Sequence, residues 1–66
     1  MREMHVDDRV QLNHDIPELG LHYGEVGLVC STWFSPDTAY EVEFQLKEQE
    51  CPIHALLMPN QLTRMR

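Results

Sequence analysis

Ala39-Tyr40-Glu41-Val42-Glu43-Phe44-Gln45-Leu46 sets Tyr40, Val42, Phe44 and Leu46 at every second position, with Glu41, Glu43 and Gln45 between them. Strict period two marks a strand with one dry and one wet face, because successive side chains point to opposite sides of a sheet. On a helix the same apolar residues would spread round the cylinder instead of forming a stripe. Glu41 and Glu43 therefore share the solvent face of this strand.

Working outward, Asp8-Arg9-Val10-Gln11-Leu12 alternates in the same way. Glu25-Val26-Gly27-Leu28-Val29-Cys30-Ser31-Thr32 is rich in strand formers and bounded by Gly24 and by Pro36-Asp37. Gly27 inside it predicts a bulge, a bend or a close approach of backbone. Cys51 to Met58 holds Ile53-His54-Ala55-Leu56-Leu57-Met58, with apolar residues on both faces, the pattern of a central or sharply bent strand. Pro59 has no N–H for a ladder and ends it, Asn60-Gln61-Leu62 suits one 3₁₀ turn, and Leu62 to Met65 is long enough for a closing edge strand. The remaining connection, Asn13 to Tyr23, is an eleven-residue loop punctuated by Pro17 and Gly20, with Ile16, Leu19 and Leu21 as its apolar anchors. Together these predict an all-β domain over residues 1–66: a five-stranded SH3-like small barrel, closed on itself so that the chain shares one core, with a long first loop and a 3₁₀ turn before the last strand. The competing architecture is a three-stranded open sheet with a helix at Ile53 to Leu62, against which Pro59 weighs.

Length and charge bound the function. A chain of 66 residues buries only about 60% of its unfolded surface, which leaves no room for a second core or an enclosed catalytic cavity. Five Lys and Arg against eleven Asp and Glu give a net charge of −6, the wrong sign for a protein whose affinity comes from neutralising phosphates. Hydrophobic content of 42% separates the chain from disordered sequences. Met1 to Arg9 lacks the apolar centre of a signal peptide and no run approaches a membrane span, so a cytoplasmic protein without membrane association is expected. In that compartment Cys30 and Cys51 are expected as free thiols, not a bridge.

A resemblance covers nearly the whole chain. Asp15-Ile16-Pro17-Glu18, Gly20-Leu21 and Gly24-Glu25-Val26-Gly27-Leu28-Val29 are followed by Tyr40-Glu41-Val42-Glu43-Phe44 and by Ala55-Leu56-Leu57-Met58-Pro59-Asn60-Gln61-Leu62. This order resembles the signature of a bacterial family of short proteins of unknown function. The sequence departs from it at Leu28, where Thr is common, and in having Met58 directly before Pro59 with one residue fewer in the closing segment, which leaves the register of the last strand open. The resemblance implies an SH3-like barrel in a cytoplasmic bacterial protein and carries over no catalytic or binding residue. Gly24 to Val29 also resembles the KOW motif of ribosomal and transcription factors.

The chemistry-bearing residues form no recognised constellation. His5, His14, His22 and His54 with Cys30 and Cys51 lack the close pairs that fix two metal ligands on one turn, so no metal and no cofactor is expected. Asp15, Glu18 and Glu25 could act as acid and base only in a cleft that shifts one of them, and read instead as a solvated acidic loop. Gly24-Glu25-Val26-Gly27 lacks the Lys and Ser/Thr of a phosphate loop and reads as a turn with positive φ at Gly24. An enzyme is not expected.

Trp33, beside Phe34 and before Pro36-Asp37, is the aromatic to watch, either as a lid on one barrel end or as a contact residue. With Tyr23, Asp15 and Glu18 it forms the candidate partner-binding set; adding Pro59 imitates the aromatic groove that binds Pro-rich peptides. The function expected is a protein-interaction module docking on a larger bacterial protein, such as one encoded by a neighbouring gene. The alternative is a KOW-like RNA- or ribosome-associated module, and self-association through an exposed edge strand is a third.

Overall fold

The second strand controls how the sheet curls. In the computed structural model, which describes residues 4–47 and 49–65, the strands are β1 (Arg9–Leu12), β2 (Val26–Trp33), β3 (Ala39–Phe44), β4 (Ile53–Leu57) and β5 (Leu62–Arg64). All pairings are antiparallel, in the order β4-β3-β2-β1-β5. The first half of β2 pairs with β1, while β3 follows β2 from Leu28 to Trp33. The β2–β3 register shifts between Val29 and Ser31, so Cys30 is the extra residue of a bulge. A bulge bends its strand and sharpens the local twist, which lets the two halves of one sheet face each other. Val10, Leu12 and Leu62 from one half and Tyr40, Val42, Phe44 and Leu57 from the other meet in a single buried cluster.

This is the SH3-like arrangement expected, with the long β1–β2 connection and a 3₁₀ turn at Pro59–Gln61 leading into β5. The alternative helix over Ile53 to Leu62 does not form: Ile53 to Leu57 pair with Phe44 to Tyr40 as a strand. Two expectations need correction. Among the described residues the barrel is not closed by hydrogen bonds, since β4 and β5 are the outer members of the sheet and the 3₁₀ turn spans the gap between them. For the same reason β4 is an edge strand, not a central or sharply bent one, and alternates cleanly, with Ala55 and Leu57 inward and His54 and Leu56 outward. Gly27 is not the bulge; it is a close approach, because Val42 and Phe44 occupy the space where its side chain would stand.

The long loop packs as its own small unit. Ile16 and Leu21 exchange backbone hydrogen bonds of 2.8 and 3.1 Å, so the chain reverses and the 3₁₀ turn at Pro17–Leu19 becomes the tip. Leu21 is fully buried and Ile16 packs against the core, but Leu19 is 40% exposed and is no anchor, because it rides on that tip. Gly20 and Gly24 supply the left-handed conformations the reversal needs, with φ of 72° and 91°, the second as expected from the sequence. The start of the loop is tied to the turn before β5. Asn13 N–H donates to the Gln61 carbonyl at 2.9 Å, the Asn13 side chain bonds both the Asn60 carbonyl and the Thr63 hydroxyl, and the Gln61 amide reaches His14 at 3.0 Å. Among the described residues no helix is long and apolar enough to cross a membrane. Residues 1–3 of the stretch read for an export signal lie outside the described residues.

Candidate functional site

Directly opposed residues of an antiparallel pair point to the same side of a sheet, so the register maps the outer face of β2, β3 and β4. Tyr40, Val42 and Phe44 are buried inward, which turns Glu41 and Glu43 outward and puts Ala39, itself buried, on their side of the sheet. One outward row runs Arg9, Leu28, Glu43, His54; the next runs Ser31, Glu41, Leu56; the last begins Trp33, Ala39. A sheet with one wet face ordinarily carries polar residues there. β3 obeys with two carboxylates, but β2 exposes Val26, Leu28 and Trp33 and β4 exposes Leu56, at 52% for Trp33 and 62% for Leu56. The face is an acidic track along β3 flanked by apolar rails.

Each carboxylate has a partner on the face. Glu41 Oε2 lies 3.0 Å from His54 Nδ1, and the Cys30 thiol donates to Glu43 Oε1 at 3.5 Å. Between Trp33 and Leu56 the surface sinks into a shallow depression of about 370 Å³ lined by Trp33, Glu41, His54, Ala55 and Leu56. Among the described residues no three His, Cys, Asp or Glu side chains converge as a metal-ligand set, although Cys30, Glu41, Glu43 and His54 share this face.

The residues singled out from the sequence divide between two places. Asp15, Glu18 and Tyr23 belong to the β1–β2 loop, where Asp15 Oδ1 accepts the Tyr23 N–H at 2.7 Å and so braces the reversal. Glu18 sits exposed on the loop tip, and the Tyr23 side chain is 71% exposed. Glu25 lies 3.8 Å from His22 within the same loop end. Trp33 is at the opposite end of β2 from Tyr23, outside the core cluster, and joins Glu41, His54 and Leu56 instead. It is no barrel lid. Leu56 and His54 were not singled out as contact residues. The apolar residues on both faces of Ile53 to Met58 were the available signal, and they denote an edge strand with one apolar outer position.

The two cysteines are free and differ in exposure. Burial pushes the Cys30 thiol above its ordinary range, and its hydrogen bond to Glu43 and the negative charges of Glu43 and Glu41 push it further the same way. A thiol held protonated is a poor nucleophile. Cys51 is exposed in the β3–β4 connection. Native protein treated with iodoacetamide at pH 8 is therefore expected to add one label at Cys51 before Cys30 reacts; peptide mapping that finds Cys30 labelled first would contradict the placement of its thiol beside Glu43.

Residues 7–62 match a protein family described as a domain of unknown function (DUF4926). No curated protein and no solved structure matches the chain.

Proposed function

The chain belongs to this family of domains of unknown function, a membership that assigns no activity, and we propose that it is a non-enzymatic protein-interaction module docking on a larger partner protein. The observation that carries the reading is the outer face of β2, β3 and β4, where exposed Val26, Leu28, Trp33 and Leu56 flank Glu41 and Glu43. Covering one large apolar side chain is worth about 1.5–3 kcal/mol, and Trp is among the residue types enriched at the energetic centres of interfaces. The acidic track sets the chemistry of the other side: apolar contacts with basic groups between them. Cytoplasmic docking on a bacterial partner fits the same reading.

Trp33 takes over from the loop as the centre of the proposed contact, and Asp15, Glu18 and Tyr23, which precede the other end of β2, fall outside it. The KOW-like RNA reading has the Gly24 turn in its favour and the charge of −6 against it.

A photo-crosslinking amino acid placed at position 56 in the native cell identifies the partner. With that protein purified, calorimetry is expected to give saturable binding that weakens about tenfold or more in Trp33→Ser, the loss typical of a hot-spot aromatic, and stays within about twofold in Tyr23→Ser. Equal affinity for wild type and Trp33→Ser would sink the proposed face. A salt-sensitive gel shift with RNA, unaffected by Trp33→Ser, would put the RNA reading in its place.

A further inference from the structure

We propose that the depression between Trp33 and Leu56 binds the guanidinium of an arginine carried by the partner protein, held between the Trp33 indole and the Glu41 carboxylate. This rests on the docking reading and names the chemistry the docking partner must bring.

The step that leads to it is one of burial. Glu41 stands directly opposite Leu56 on one side and Ser31 on the other, with Trp33 lining the same depression. A protein surface that covers both Trp33 and Leu56 also covers Glu41, which lines the depression with them. A carboxylate taken out of water without a compensating donor or cation costs far more than the apolar contact returns. The apolar rails are therefore usable only by a partner that supplies a hydrogen-bond donor or a positive charge at this point. His54 meets part of the need, through its Nδ1 on Oε2 at 3.0 Å. Among the described residues the other oxygen, Oε1, has no hydrogen-bond partner, and an ionised carboxylate accepts several bonds. Glu43, next outward along β3, adds a second negative charge to the same track, and the chain as a whole carries −6.

Arginine suits the site better than the alternatives. Its planar guanidinium stacks on an indole face while its N–H fork meets a carboxylate, and its three-carbon stem can lie along an apolar rail such as Leu56. A lysine ammonium is a point charge that holds its water more tightly. A phosphate or an acidic peptide would face Glu41 and Glu43 with like charge. A volume of about 370 Å³ is at the small end of ligand pockets and suits one side chain, not a cofactor. A second copy of this chain would bring another −6 to the face and its own Glu41 with it.

Trp33 is the only tryptophan, so its fluorescence reads the depression directly. The probe is a blocked pentapeptide, acetyl-Gly-Val-Arg-Val-Gly-amide, with two twins that carry citrulline or lysine at the central position. A saturable fluorescence change is expected with the arginine peptide, about tenfold weaker with the citrulline twin, which keeps the shape and loses the charge, and weaker with lysine. Glu41→Gln is expected to abolish the difference between arginine and citrulline. Glu18→Gln makes the same change in net charge on the distant loop tip and is expected to leave it intact. Equal response to arginine and citrulline, equal response to arginine and lysine, or equal weakening by Glu41→Gln and Glu18→Gln would each overturn the proposal. So would concentration-dependent dimers by light scattering that Trp33→Ser abolishes. If the peptides fail while the crosslinked partner still depends on Trp33, docking stands and the arginine site falls; if the partner also ignores Trp33, both fall.

Discussion

Gly27→Ala is expected to destabilise this domain by about 2–3 kcal/mol, against the ordinary sign of such a change. Replacing a strand glycine whose backbone any residue can adopt normally stabilises by roughly 0.4–1 kcal/mol, because the unfolded chain loses freedom. Gly27 has no positive φ, so the conformational argument alone would favour alanine. Space decides otherwise. A Cβ at this position would come within 2.6 Å of Val42 Cγ1, 2.8 Å of Phe44 Cε1 and 2.9 Å of the Glu43 carbonyl oxygen. Val42 and Phe44 are both fully buried, and the third contact is backbone in the middle of the sheet, so none of the three can swing aside. Overpacking of a filled core costs about 1–3 kcal/mol, and this site is at the upper end because three contacts must give at once. In a domain of this size each kcal/mol moves Tm by about 4–8 °C, so a fall of roughly 10–20 °C is expected. Urea denaturation with the slope held equal to wild type measures it. A neutral or stabilised Gly27→Ala would mean that β2 and the inner side of β3 do not approach as closely as described.

The same residue shows what a single sequence can and cannot carry. A glycine in an otherwise β-branched run announces something unusual, and three readings of it, bulge, bend and close approach, were open. Which one holds depends on what lies across the sheet, and that is a property of register, not of local composition. The bulge falls three residues later, at Cys30, where no local signal marks it, because an extra residue is defined only by the partner strand that fails to match it. By contrast the alternation of Tyr40 to Phe44 could be read directly, since one face of that strand is wet and the other dry and each residue type reports its own face. β4 lies between these cases. Its buried Ala55 and Leu57 alternate correctly, but exposed Leu56 between them imitates the doubly buried pattern of a central strand.

Only part of the candidate site was legible in the sequence, and its assembly was not. Trp33 stands out in the sequence as either a barrel lid or a contact residue and Tyr23 as a contact candidate, and both side chains are exposed. What residue types could not show is that the whole of β2 lies between them, so that Tyr23 shares a loop with Asp15 while Trp33 shares a face with residues from two other strands. Glu41 and Glu43 were placed on one solvent face by period two alone. Their neighbours Leu56 and His54 arrive through the β3–β4 register, in which Glu41 faces Leu56 and Glu43 faces His54. Long-range pairing makes the face, and it makes it from residues that look unremarkable one at a time.

Leu21→Ala is expected to cost about 3 kcal/mol, while Leu19→Ala, two positions away in the same loop, stays within about 0.5 kcal/mol of wild type. The sequence alone treats the two as equivalent apolar anchors. The structure separates them: Leu21 is fully buried in the core cluster and Leu19 rides on the 3₁₀ tip, 40% exposed. Truncating a buried leucine removes the transfer free energy of its lost carbons and leaves a cavity, together about 2–5 kcal/mol. Refilling that cavity is difficult, because Leu21 is held in place by two backbone hydrogen bonds to Ile16 and cannot sink further inward. For a chain whose net stability is on the order of 5 kcal/mol, the loss removes more than half of it. The loop is thus a structural part of the barrel and not an insertion laid over it, a distinction the pair of variants tests directly. Urea midpoints for Leu21→Ala, Leu19→Ala and wild type give the comparison. Equal, small losses would mean that the loop packs independently of the core. Equal, large losses would mean that the tip is buried and the Ile16–Leu21 reversal is misplaced. Only a loss confined to Leu21 fits a loop that folds back at Ile16 and returns one leucine to the core.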